Sequence, residues 1–352
     1  MRNHYMMNVS RALLVLFLVS LLAFSLGCER KIVNENKDNS QAELNSCFTC
    51  HNDEDGVLQR AEGEWMHSVH ASGNNIDYTN RGDGDDCTRC HDHQGFLEFL
   101  ATDSLSAPYD NVSGIHCFTC HAPHTTGTLA LRTEEAFTLL DGSTFDHGAG
   151  NLCANCHHSR VNGTLALDSI PSRYGPHHGP QADMLNGTNA FEFEGYTYSY
   201  STHSVGIPDA CVGCHMGNER NHSGYGVGGH SFNMEDEEGN NLYLYCADCH
   251  SAANTAKDYD FLLDRDVDHD GVIEGCQTEI DGLADSLKVL LTADGLLNSS
   301  GSVISQKLDD PNKAGAVYNY FFIEDDRSHG VHNFKYATDL LQSAIEYMVA
   351  HP

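Results

Sequence analysis

Cys211-Val212-Gly213-Cys214-His215 and Cys246-Ala247-Asp248-Cys249-His250 stand in one short stretch, with His203 ahead of the first and His230 between them. In each run, two cysteines three positions apart can form thioether bonds to the two vinyl groups at a porphyrin edge. The adjoining histidine is left to bind the iron. Four more copies lie upstream: Cys47-Phe48-Thr49-Cys50-His51, Cys87-Thr88-Arg89-Cys90-His91, Cys117-Phe118-Thr119-Cys120-His121 and Cys153-Ala154-Asn155-Cys156-His157. A dithiol redox pair or half of a zinc site also uses Cys-x-x-Cys, but neither requires histidine as the next residue, and all six copies carry it. The pattern specifies six covalently held haems, with His51, His91, His121, His157, His215 and His250 as proximal ligands.

Of the 14 cysteines, this leaves Cys28 and Cys276, so no disulfide framework is expected. The attachment runs begin at intervals of 40, 30, 36, 58 and 35 residues. So little chain per cofactor cannot build a conventional core around every ring. The macrocycles must supply much of the buried apolar surface and lie close together.

The amino terminus carries Arg2 and Arg11 ahead of an apolar run from Ala12 to Leu26, too short to span a bilayer comfortably and of the length of a signal h-region. Residues 1–27 are therefore expected to be a signal peptide. The ending Ser25-Leu26-Gly27-Cys28 is similar to a bacterial lipoprotein signal, which implies a lipid on Cys28. Residues 28–45 are polar and aperiodic and read as a flexible tether. Residues 46–255 then form the hexahaem domain, and residues 256–352 a helical C-terminal region. The formal charge of −31 disfavours nucleic acid and anionic membrane surfaces as partners. It suits basic redox proteins, docking at haem edges, or positively charged mineral and shuttle surfaces.

Six irons with one histidine each need further ligands if they are to be saturated. His70, in a helix expected over Trp65 to His70, is a candidate, with His67 one turn earlier as its rival. His124 follows Pro123 just beyond a proximal histidine, so it can serve a neighbouring haem in a stacked pair; His116 is the alternative. The run from Gly175 to Gly187 containing His177-His178, the segment Thr202-His203-Ser204, the pair His215-Met216, Gly229-His230-Ser231-Phe232 and Ser328-His329-Gly330-Val331-His332-Asn333 together resemble multihaem c-type cytochromes. That group includes bis-histidine electron carriers and, more distantly, nitrite and hydroxylamine enzymes. The resemblance runs from about residue 46 to the C-terminus. It implies a mainly α fold with extensive irregular structure organised around a haem array, and distal ligands at one of His177 and His178 (His178 is preferred) and at His203, His230 and His332.

Asp266-Val267-Asp268-His269-Asp270-Gly271 matches the opening of an EF-hand-type loop. Gln277 stands where the bidentate glutamate belongs, so Asp266, Asp268, Asp270 and Glu274, with Glu279 in reserve, are the candidate calcium ligands. Helices are expected over Ile280 to Leu291, Pro311 to Ile323 and Phe334 to Val349, the last with Tyr336, Leu340, Leu341, Ala344, Ile345 and Met348 on one face.

The leading expectation is electron transport through six bis-histidine haems in the cell envelope or at the cell surface, in the periplasm or outside it, with no catalytic residue. One rival is a reductase or oxidase of a small nitrogen or sulfur oxyanion at one open haem. No Cys-x-x-Cys-Lys variant of the kind found in ammonia-forming nitrite reductases is present, which weakens that rival. The other rival is a subunit of an extracellular cytochrome filament.

Overall fold

A computed structural model describes residues 56–72, 87–106, 109, 111–217, 224–250 and 259–352. The signal, Cys28, the tether and the first attachment run, Cys47 to His51, lie outside these residues. All the described residues belong to one compact unit, Asp53–Pro352. The architecture is mainly helical with long irregular connections, as expected for a chain whose folding units are single helical turns around cofactors.

The upstream helices are short. They are α1 (Val57–Trp65), α2 (Thr88–His91), α3 (His93–Thr102), α4 (Cys117–Cys120), α5 (Pro123–Thr126), α6 (Gly150–Ala154), α7 (Gln181–Asn186), α8 (His203–Gly206) and α9 (Cys211–His215). Three 3₁₀ turns, Val69–Ser72, Gly229–Ser231 and Tyr243–Asp248, lie among them. The helix expected over Trp65 to His70 is not formed: α1 ends at Trp65, a turn follows, and His70 sits in the Val69–Ser72 turn. Ser68 breaks the helix there, its hydroxyl donating to the Trp65 carbonyl (2.7 Å) and accepting from the Ala71 amide (3.2 Å).

Strands are minimal: β1 (Phe137–Thr138) pairs antiparallel with β2 (Thr144–Phe145), and β3 (Ser169–Ile170) with β4 (Gln306–Lys307). The second pair fastens the middle of the chain to its last quarter.

That last quarter contains three long helices, α10 (Cys276–Ala293), α11 (Asn312–Asp326) and α12 (Phe334–Ala350), close to the expected spans. Asp260 caps α10 from outside, accepting from the amides of Gln277 (2.7 Å) and Thr278 (3.2 Å). Ile280, Leu283, Ala284, Leu287 and Leu291 form its buried stripe. Helix α11 is buried nearly all round and runs through the centre of the core, where the Phe191 ring packs so closely on Gly315 that a Cβ would collide with it. In α12, Tyr336, Leu340, Leu341, Ala344 and Met348 are buried as expected, and the Asn333 side chain caps the first turn. Tyr174, Met184, Phe191 and Phe193 join this core from upstream. Among the described residues, no helix is long and apolar enough to cross a membrane.

Candidate functional site

The attachment runs fold alike for a local reason. The amide of the histidine donates to the carbonyl of the first cysteine in four of them: His91 to Cys87 (3.0 Å), His121 to Cys117 (2.9 Å), His157 to Cys153 (2.9 Å) and His250 to Cys246 (2.7 Å). One closed helical turn puts residues i, i+3 and i+4 on one side, so both sulfurs and the imidazole can address the same ring. Around them, apolar side chains beside the ligands stand open, Val69 at 73% and Val205 at 86% exposure. This is the surface an apolar macrocycle would cover, and the residues present fit a haem.

Two imidazoles on opposite sides of one metal, each with a metal–nitrogen distance of about 2 Å, place their ring centroids about 6 Å apart. Four pairs stand at this separation: His70 and His157 (6.2 Å), His121 and His230 (6.3 Å), His215 and His332 (6.2 Å), and His203 and His250 (5.8 Å). Each joins a histidine of an attachment run to one outside any run. Their planes cross at 71°, 47°, 46° and 81° respectively.

Hydrogen bonds at the outer nitrogens aim these rings. Nδ1–H donates from His203 to the Val331 carbonyl (2.8 Å), from His215 to the Phe232 carbonyl (2.9 Å), and from His332 to Asp326 Oδ1 (2.7 Å). His157 Nδ1 similarly meets Gln181 Oε1 (3.3 Å). With Nδ1 committed, the Nε2 lone pair faces the partner ring. Gln181 also donates to the carbonyls of Asp325 and Asp326 at the end of α11 (3.2 Å each), which ties the fourth site to the carboxylate that holds His332.

Burial lowers the pKa values of His157, His203, His215 and His230, and it takes His70 to about 4 with help from His157, so these rings are neutral and ready to donate a lone pair. Burial works against charge on His332 too, but the Asp326 carboxylate outweighs it and the pKa rises.

His91 is lowered by burial first, then by His177, Arg160 and His178. His178 directs Nδ1 to Asp325 (3.1 Å), and its side chain is largely exposed. His124 packs on Phe118, with centroids 5.7 Å apart. His67 turns back to the Gly63 carbonyl (2.8 Å). His116 caps α4, its Nδ1 accepting from the Phe118 amide (3.3 Å), and lies 4.4 Å from the His93 ring.

The sulfurs show which sites adjoin. Cys90 donates to the Asn155 carbonyl (3.9 Å) and Cys156 to the Arg89 carbonyl (3.8 Å), a reciprocal contact between the second and fourth runs. Cys153 and Cys211 perturb each other's thiol, which brings the fourth run beside the fifth. Cys214 feels Cys246, from fifth to sixth, and Cys120 of the third run lies near both Cys153 and Cys156. As thioethers these sulfurs would carry no proton, and the contacts then express proximity alone.

Three further groups position the site and were not singled out as site residues by the sequence. Arg89 is buried with its guanidinium 3.7 Å over the Phe99 ring. Glu64, buried and paired with Arg60 (2.6 Å), accepts the His230 amide (2.9 Å). Phe232 supplies the carbonyl that holds His215. Only the Arg60/Glu64 spacing of four on a helix is legible from the chain itself.

In the acidic loop, Asp266 accepts from the amides of His269 (2.7 Å) and Gly271 (2.9 Å), and Gly271 takes the left-handed φ of 97° that the turn demands. Carboxylate oxygens converge in two overlapping groups, Asp266 with Asp268 and Glu279, and Asp268 with Asp270 and Glu274, within 4.8 Å. Glu279, held in reserve by the sequence, is fully buried and anchors the loop through the amides of Val267, Asp268 and Glu274. Gln277 donates instead to the Ser328 carbonyl (3.2 Å).

The chain is similar in fold to outer cell wall cytochrome OcwA, with a TM-score of 0.50 and 22% identity, over 81% of this chain and 49% of that one. Another match is an undecahaem cytochrome from the S-layer of Carboxydothermus ferrireducens, with a TM-score of 0.42 and 18% identity, over 81% of this chain and 40% of that one. The chain thus spans half or less of the length of either. No protein-family model and no curated protein matches it. The fold and the attachment geometry are those of a multihaem c-type cytochrome.

Proposed function

We propose that this protein carries electrons through six covalently attached haems, each iron held by two histidines, at or outside the cell surface. The observation that carries this reading is the set of four imidazole pairs, each joining an attachment run to a distant histidine at the spacing one iron needs. Each haem, when bound, supplies a one-electron Fe(III)/Fe(II) couple; a saturated ligand set leaves no position for substrate and stays fixed in both states. His177 and His178 both neighbour His91, and one of them is assigned to it. His124 is retained as the sixth distal candidate.

The sulfur contacts support a spatial order of second, fourth, fifth and sixth sites, with the third beside the fourth. The fold match to a cell wall cytochrome and the export signal favour a surface location, with a lipid on Cys28 as tether. The acidic charge favours a basic redox partner. The loop Asp266, Asp268, Asp270 and Glu274, anchored by Glu279, is assigned to calcium in a structural role.

Optical and electron paramagnetic resonance (EPR) spectra of the purified protein test the reading. Six low-spin haems indifferent to cyanide and nitrite are expected. A high-spin haem that binds either ligand would overturn it in favour of the reductase.

A further inference from the structure

The turn Gly228 to Phe232 meets three attachment sites at once. His230 lies opposite His121 of the third run (6.3 Å). The Phe232 ring stands edge-on to His230 (6.2 Å, 66°) and to His70 (5.3 Å, 74°), and His70 faces His157 of the fourth run. The Phe232 carbonyl accepts from Nδ1 of His215 in the fifth run (2.9 Å). One residue thus touches axial imidazoles of three sites by two different means.

The backbone is built for this. Gly228 and Gly229 have φ of 67° and 52°, and a Cβ on Gly229 would collide with the buried Glu64 carboxylate that accepts the His230 amide. Phe232 itself has φ 58°, a left-handed conformation that a bulky side chain avoids unless its surroundings impose it. Ser231, fully packed, closes the turn by donating its hydroxyl to the Gly228 carbonyl (2.7 Å).

Resting on the bis-histidine reading, we infer that Phe232 is a positioning residue for the junction of the third, fourth and fifth haems. Its ring sets the planes of His70 and His230, and its carbonyl sets that of His215. Imidazole plane angles govern the splitting of the iron d orbitals, so near-perpendicular pairs give strongly anisotropic low-spin EPR signals. Among the described residues two such pairs exist, at the fourth site (71°) and the sixth (81°); Phe232 stands against His70 of the fourth, and the sixth, His203 with His250, serves as internal control.

The test is EPR with redox titration of the holoprotein carrying Phe232→Gly, which removes the ring but keeps the carbonyl and suits the left-handed backbone, and Phe232→Tyr, which keeps the ring. Phe232→Gly is expected to abolish one of the two strongly anisotropic signals and to shift one of the less anisotropic ones. The other anisotropic signal stays, and Phe232→Tyr matches the parent. Superimposable spectra for Phe232→Gly and parent, or equal changes at every haem, would overturn the inference while leaving the bis-histidine reading intact. A high-spin haem in the parent protein would instead remove the reading beneath it.

Discussion

The two ends of the described chain stabilise themselves by different means. Among the described residues from Gly56 to His250 no helix exceeds the 10 residues of α3, and the buried apolar cluster proper to this part is small: Leu139, Phe145, Ala154, Ala182, Leu185 and Ala210. From Tyr259 onward, helices of 18, 15 and 17 residues enclose a continuous core including Ile280, Leu287, Val317, Phe322, Leu340 and Leu341. The haem-binding end commits its side chains to sulfur, imidazole and hydrogen bonds to imidazole. The C-terminal end is packed as an ordinary helical protein is. Polypeptide that wraps cofactors need not bury itself, and the helical end serves as the fixed body against which Asp326 and His332 are held.

The comparison breaks most visibly if haem attachment is withheld. Protein produced without haem maturation should lose ordered structure around residues 87–157 while α10 to α12 persist. Limited proteolysis should then yield a resistant fragment containing those helices, with much of the far-ultraviolet helical signal retained. Uniform digestion would show that the helical end does not stand alone.

Within the helical core, Leu287→Ala should cost about 2–5 kcal/mol in chemical denaturation, because Leu287 is fully buried and its cavity lies between packed helices. The haem absorption bands should hardly move in the native baseline. A loss well under 1 kcal/mol would argue that the cofactors, not these helices, dominate stability throughout.

Asp183 lies next to Met184, a member of the helical core. It is fully buried on α7, and its Oδ2 accepts the Ser159 amide (2.7 Å) two residues past His157. Burial pushes its carboxyl up to about 7. The folded state therefore keeps a proton that the unfolded chain releases near pH 4, so stability falls as pH rises from about 4 to 7 and is level above. Asp183→Asn can still accept the Ser159 amide. It should flatten that slope and stabilise the protein at pH 8 by on the order of 4 kcal/mol, read from denaturation midpoints across pH.

The smallest expected effect is at the acidic loop. Calcium at ten times its Kd should stabilise the helical end by about 1.4 kcal/mol, measured as a melting shift that chelator reverses. Combined replacement of Asp266 and Asp268 by Asn should abolish it.

The sequence alone names the attachment runs with their candidate proximal histidines and the spans of the three long helices, because each is written in contacts within a turn or two. Two cysteines and a histidine at i, i+3 and i+4 can fold only one way around one ring, and apolar residues at helical spacing need only a surface to bury against. The acidic loop was legible for the same reason, except that Glu279 as its buried anchor lies beyond the motif's formal end. Tertiary structure decided the rest. His70 meets His157 and His332 meets His215 across long stretches of chain, and nothing local to either member of a pair names the other. The return of the last helices to the haem region and the meeting of three sites at Phe232 both arise where segments distant in sequence compete for the same few ångströms. Covalent and helical chemistry is local and can be read; the choice among equivalent imidazoles is made only by packing.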